Sequence, residues 1–293
     1  MAINRPFDFE MDDNAIYDFT IIIGNGFDKS LGFQTGHQDY IQSIEFNNIV
    51  ESGNLIAAHL RKKSDHINWI DIELELALYS ISHEGQSNKD FYNNYTELLD
   101  NLTLYLSNLS MIEFPTSSNA YKLIEYISDY TTYIIDFNYT NSIKKIFDLR
   151  NRRNVHPGIK HVNIHGSTKE NNIIFGVDDK ANISSEHIYL KNSHNLNYTS
   201  IDFNKVLKDS STIGIFGHSL GETDHMYFTK FFQDACKEGS AYSNKNITIY
   251  YYGVNGYHDI CRQLDTLTKK SVSLFKRYNN VAFVDTKDGY IST

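Results

Sequence analysis

Four short clusters hold the residues of this chain whose types and spacing can do chemistry. The first is Gly24-Asn25-Gly26-Phe27-Asp28. Glycines directly after a strand admit positive φ and let backbone N–H groups come close to a phosphate. The spacing lacks the third glycine of a full G-x-G-x-x-G, and a tight turn with no ligand is the plainer alternative. The second cluster is Asp136-Phe137-Asn138-Tyr139-Thr140-Asn141. Asn138 offers both donor and acceptor, suited to a ribose hydroxyl or a water. Thr140 or Asn141 is equally suited to capping the helix that follows. The third is Ile164-His165-Gly166-Ser167. An imidazole is a general base near neutral pH, and the adjacent glycine leaves room beside the ring. His165 is one of 12 histidines and is set apart by its position after an apolar run.

The fourth cluster runs Phe216-Gly217-His218-Ser219-Leu220-Gly221-Glu222-Thr223-Asp224-His225. Gly217 to Gly221 matches G-x-S-x-G, and a strand-loop-helix setting fits a nucleophile elbow. That elbow needs an acid and then a histidine further along the chain. His258 with Asp259, or Asp265 with no later histidine, meets this poorly, so serine hydrolysis is set aside. Asp71, Glu73 and Glu75 stand near Trp69. On a helix Asp71 and Glu75 share one face at i, i+4, whereas Glu73 and Trp69 lie on another. No His or Asp cluster at ligand spacing accompanies them, so no metal site is expected. A solvated helix face with Glu73 turned toward a pocket is the preferred reading.

These clusters need elements to position them. Phe19 to Ile23 is an unbroken, mostly β-branched run ending at Gly24, the pattern of a buried parallel strand. Further strands are expected at Tyr133 to Ile135, His161 to Ile164, Ile173 to Phe175, Ile213 to Phe216, Ile247 to Tyr252 and Val281 to Val284. Helical periodicity dominates from about Gln38 to Leu109. Ile72, Leu76 and Tyr79 follow Trp69 on one stripe, and Tyr95, Leu98, Leu102, Tyr105 and Leu109 form a second. Ser82 to Asp90 reads as the polar loop between them, and Pro115 closes the block. Helices are also expected around Ala120 to Ser128, Asn141 to Arg150, Thr223 to Lys237 and Tyr257 to Thr268. Strands alternating with helices indicate an α/β fold: a mainly parallel, Rossmann-like sheet flanked by helices. Residues 38–114 are then an α-helical insertion after the first strand. Residues 1–17 read as an acidic arm, and 18–293 as a single domain with no linker or repeat that divides it. The four clusters fall at strand ends, where open α/β sheets form their ligand crevices.

Composition narrows the partners. With 293 residues, three prolines and 16 glycines, the chain can bury a substantial core. A net charge of −9 argues against nucleic acid, and Arg61 to Lys63 with Arg150 to Arg153 read as solvated helix ends. Cys236 and Cys261 form no metal or redox motif and suit a reducing cytoplasm. The acidic, Pro6-broken N-terminus is not a signal peptide, and no apolar run is long enough to span a bilayer.

Ile23-Gly24-Asn25-Gly26-Phe27-Asp28 with Gly32, Thr35 and Tyr40 resembles the opening signature of the bacteriophage abortive-infection AbiH family. Trp69 with Glu73, Phe137 to Asn141, Ile164 to Gly166, and Gly217 to Gly221 with Asp224-His225 follow in the family's order, from about Phe19 to beyond Tyr227. The motif order is also similar to that of sirtuin-like NAD-consuming domains. Gly24 and Gly26 match their glycine loop, Asn138 their asparagine, His165 their catalytic histidine, and Gly217 with Ser219 their late motif. Asn25 and Asp28 in the loop, Phe137 and Thr140 depart from the pattern, and zinc-binding cysteine pairs are absent, which speaks against protein deacylation.

The resemblance implies a cytoplasmic anti-phage effector that acts as a toxin on its own cell, with NAD as substrate. Gly24, Asn25, Gly26, Phe27 and Asp28 would hold the dinucleotide together with Gly217, His218, Ser219 and Asp224. Asn138 would orient the ribose or a water, and His165 would act as base. Nicotinamide leaves NAD uncharged, so the chemistry reduces to stabilising an oxocarbenium-like ribose and delivering a nucleophile. The alternative is a nucleotide sensor that acts through a partner protein or a second copy of itself, because fold alone does not separate binding from turnover.

Overall fold

The computed structural model describes residues 16–65, 71–83, 85, 87–109, 113–149, 157–198 and 200–287. Trp69, Arg150 to Arg153 and all but the last two residues of the N-terminal arm lie outside the described residues.

The central run Phe19 to Ile23 has apolar or β-branched side chains on both faces and is almost completely buried, as a middle strand of a covered sheet must be. It forms β1 (Tyr17–Ile23) and pairs on one side with β2 (Thr132–Asp136) and on the other with β4 (Ser210–Phe216). With β3 (Lys160–Asn163), β5 (Asn246–Tyr251) and β6 (Asn280–Asp285) the sheet has six strands in the order β3-β2-β1-β4-β5-β6. Every pairing is parallel. This is the doubly wound, Rossmann-like order, and the winding reverses between β1 and β4.

Helices α1 (Asn25–Ser30), α7 (Asn119–Ile127) and α8 (Ser142–Leu149) bury Phe27, Ile124 and Ile143 against one face of the sheet. Helices α9 (Phe203–Lys208), α10 (His225–Asp234), α11 (Gly253–Leu267) and α12 (Val272–Tyr278) bury Phe203, Phe228, Leu264 and Phe275 against the other. Between α1 and α7 come α2 (His37–Ile41), α3 (Ile44–Glu51), α4 (Leu55–Ser64), α5 (Ile72–Ser82) and α6 (Asn88–Leu109). They are the expected insertion and have a core of their own, to which both predicted stripes contribute.

The strand expected at Ile173 to Phe175 does not form. Ile173 and Phe175 instead join the core of the inserted helices. The segment's backbone is engaged outside the sheet: Ile174 N–H donates to His165 O, and the Tyr95 hydroxyl donates to Phe175 O. A short apolar run reads the same whether it fills a sheet or pads a helical layer. Among the described residues no helix is long and apolar enough to cross a membrane.

Candidate functional site

At the β1/β4 switch point the loop after β1 and the loop after β4 lock together backbone to backbone. Gly24 N–H donates to Phe216 O at 3.1 Å, and Gly26 N–H donates to Gly217 O at 2.8 Å. A Cβ on Gly26 would lie 2.6 Å from Gly217 Cα, and one on Gly217, at φ +64°, would lie 2.3 Å from Phe27 N. The glycines therefore permit one loop to approach another. Phe27 N–H turns back to Gly24 O, so the amides of three of the five first-loop residues expected to hold the dinucleotide are engaged within the protein. The Phe27 ring is fully buried, edge-on to Phe216 at 5.7 Å. That corrects the expectation that Gly24, Gly26 and Phe27 cradle the pyrophosphate by their amides.

Asp28 also needs correction as a ligand contact. It is completely buried, accepting from the Thr140 hydroxyl and from the Ser142 hydroxyl, both at 2.7 Å. Burial pushes its carboxyl up to about 7, against those hydrogen bonds and with help from Asp136. Thr140 is thus a tie to Asp28, not a helix cap. Asn25 Oδ1 accepts from the Thr35 hydroxyl, anchoring the first loop to the segment before α2.

Asn138 is nearly buried and stitches the loops together. Its Nδ2 donates to Gly24 O at 3.1 Å, its N–H donates to Asp136 Oδ1 at 2.9 Å, and its carbonyl accepts from Asn163 Nδ2. Asp136 in turn pairs with His161 at 3.0 Å.

Beside this knot two imidazoles flank one carboxylate. Asp224 Oδ2 lies 3.3 Å from His218 Nε2, and its Oδ1 lies 3.8 Å from His165 Nε2. His218 Nδ1 accepts from Leu220 N–H at 2.9 Å, which assigns its proton to Nε2, facing Asp224. Phe137 packs its ring against both histidines, at 4.3 Å from His218 and 5.6 Å from His165. Burial disfavours the imidazolium of His165, but the charge of Asp224 3.8 Å away, then those of Glu73 and Asp136, prevail and raise its pKa above the ordinary value. Burial likewise opposes ionisation of Asp224, yet the two histidines hold it well below the usual carboxylate range. Asp224 is the N-cap residue of α10 but makes no side-chain capping bond. A cap of this kind is worth about 1 kcal/mol, so a carboxylate committed to histidines instead marks a functional position.

Glu73 completes the group from the inserted helices, where the helical stripe aims it inward as expected. Asp71, by contrast, is the cap of α5 and accepts from Leu74 N–H, while Glu75 pairs with His59 and Lys63. The Tyr139 hydroxyl donates to Glu73 Oε1 at 3.3 Å. Burial, opposed by His165 and aided by Asp71 and Asp224, pushes the Glu73 carboxyl up to about 8. Glu73 and Asp224 line a notch of about 10 Å³, the space of about one water. Glu73 also lines an adjoining cleft of about 640 Å³ between α5, the 177–181 segment and α10, whose lining includes Lys180 and Lys230. Environments that drive two neighbouring carboxyls in opposite directions are the mark of divided acid–base roles.

The structure thus unites His165, His218 and Asp224, with Asn138 on the adjacent loop, and leaves Ser219 apart. Ser219 is exposed, whereas Asn138, His165 and His218 are buried; like them it lines neither opening. His225 is committed elsewhere, its Nε2 to Leu220 O and Gln263 Oε1, and the positive φ falls on Leu220 rather than on the serine. The elbow geometry is therefore absent. The sequence did not single out Tyr139 as a partner of Glu73, because a tyrosine has no spacing signature. Among the described residues no group of three or more His, Cys, Asp or Glu side chains is arranged to hold a metal ion.

A doubly wound parallel sheet, with a polar cluster at the carboxyl ends of its central strands, defines an α/β protein of the Rossmann-like class. Within that class the chain belongs to the bacteriophage abortive infection AbiH family, whose model matches residues 20–244. The match runs from within β1 to beyond α10 and so includes every residue of the cluster. No curated protein matches the chain.

Proposed function

We propose that the chain is an anti-phage effector that hydrolyses the nicotinamide–ribose bond of NAD in the notch and cleft beside Asp224. The observation that supports this most is that Asp224, flanked by His165 and His218, lines a space of about one water beside a cleft of ligand size. The ionised Asp224 faces the ribose as positive charge develops on it. A water in the notch loses its proton to the His165–Asp224 pair, and Asn138 holds the loop that aligns His165. Since the amides of Gly24, Gly26 and Phe27 are engaged, the phosphates are met in the cleft by Lys180, with Lys230 nearby in an ion pair with Asp234 at 2.6 Å.

The test is metabolite profiling of phage-infected cells expressing the wild type or His165→Ala, with NAD and nicotinamide measured together. Loss of a positioned base lowers turnover by ~10²–10⁴-fold. Equal NAD consumption by both proteins refutes the assignment. One observation favours binding without turnover: Asn138 and His165 are only 5% and 7% exposed. Saturable NAD binding by the purified protein with no nicotinamide release would select that sensor reading.

A further inference from the structure

Cleavage of NAD leaves one group of the site without a task. Nicotinamide departs uncharged and needs no proton, yet Glu73 stands opposite Asp224 in the notch and borders the cleft as well. Its Oε1 accepts from the Tyr139 hydroxyl, and among the described residues no hydrogen bond to Oε2 is formed. The inserted helices thus place a carboxyl beside the His–Asp–His group that water activation alone does not require.

We propose that Glu73 is a catalytic acid, and that the site also cleaves N-ribosides whose base must be protonated to leave, of the purine nucleoside 5′-phosphate class. The inference rests on N-riboside hydrolysis at this site. The C1′–N9 bond breaks with its electron pair passing to the purine, and Glu73 Oε2 delivers a proton to a ring nitrogen. Water adds its oxygen to C1′, and its proton goes to the His165–Asp224 pair. Free base and ribose 5-phosphate result, and net transfer of one proton from the histidine pair to Glu73 resets the site.

The surroundings maintain the acid form. The titratable groups that face Glu73 are Asp71 at the start of its own helix, Tyr95 of α6, Tyr139 after β2, His165 after β3, Asp178, Asp179 and Lys180 of the 177–181 segment, Tyr198, and Glu222, Asp224, His225, Tyr227, Lys230 and Asp234 at and before α10. Most of them carry negative charge or none at neutral pH, and together with burial they keep the proton on Glu73 up to about pH 8.

The experiment follows adenine release from AMP and nicotinamide release from NAD by chromatography, using the full-length wild type, Glu73→Gln and Tyr139→Phe. Glutamine keeps the acceptor for Tyr139, and melting curves of each variant check the fold. The wild type is expected to release adenine from AMP, with activity falling as pH rises through about 8. Glu73→Gln is expected to lose ~10²–10⁴-fold on AMP, to lose at least tenfold less on NAD, and to abolish the alkaline limb. Tyr139→Phe is expected to shift that limb to higher pH, because the hydrogen bond it removes lowers the Glu73 pKa. Cleavage of NAD but not AMP by the wild type overturns the inference and leaves the NAD reading intact, as does an equal loss on both substrates in Glu73→Gln. Cleavage of AMP but not NAD overturns the NAD reading alone. Cleavage of neither overturns both.

Discussion

Replacing Gly26 with alanine gives opposite answers according to what the glycine is for. Gly26 lies inside α1 at a φ outside the left-handed region, so helix propensity alone favours alanine by ~1 kcal/mol. The loop-against-loop packing predicts the reverse. The new Cβ would stand 2.6 Å from Gly217 Cα and 3.0 Å from Gly217 O, both backbone atoms already held by the Gly26–Gly217 hydrogen bond. Overpacking costs ~1–3 kcal/mol where neighbours can adjust, and here the upper end applies. The net expectation is a loss of about 1–2 kcal/mol, several degrees at ~2–4 °C per kcal/mol. Gly217→Ala adds left-handed strain of ~1–2 kcal/mol to its own clash and is expected to be the worst of the set. Gly53→Ala is the control: Gly53 has φ +95° with nothing within 4 Å of where an alanine methyl would stand, and so isolates the conformational cost. Thermal unfolding followed by circular dichroism ranks the three. A Gly26→Ala protein as stable as the wild type, or more so, would refute the interlock and return the glycines to the role of a free phosphate cradle.

Three other perturbations have defined outcomes. Because burial raises the Asp28 carboxyl from 3.8 to about 7, its contribution to stability is full below about pH 4 and is lost as pH rises through 7, by roughly 4 kcal/mol at most. Asp28→Asn is therefore expected to flatten the dependence of denaturant midpoint on pH between 4 and 8, and an unchanged slope contradicts the assignment. Asp224→Asn removes the charge that raises the His165 pKa, so the acid limb of any turnover should move to lower pH as the maximal rate falls, read from a kcat/KM profile. Asn138→Ala releases Gly24 O and the β1 loop, and is expected to cost ~1–3 kcal/mol of stability as well as activity. A variant with normal melting and normal NAD turnover would remove Asn138 from the site.

Much of the fold was legible in the sequence because burial imposes periodicity. The run Phe19 to Ile23 had to be a covered strand, and the stripes through Ile72 and Tyr95 had to be helices. The error at Ile173 to Phe175 arose because apolarity records burial without recording which layer does the burying. The short helices α9 and α12 left too little pattern to be seen. The strand-end clusters with Asn138, His165 and His218 were visible because loops at sheet edges carry residues that neither core nor solvent demands. Asp224 was visible as a helix start, but its abandonment of the capping bond for two imidazoles was not.

By itself, then, the sequence determined the parallel α/β architecture, the insertion after the first strand and the segments that meet at the carboxyl edge, since all of these follow from local pattern and chain order. The tertiary structure alone decided what each polar side chain faces. It turned Asp28 inward, spent the glycine-loop amides on a neighbouring loop, and set Glu73 across from Asp224. Those outcomes depend on distances between residues far apart in the chain, and the low dielectric that moves their proton affinities exists only once the layers have packed.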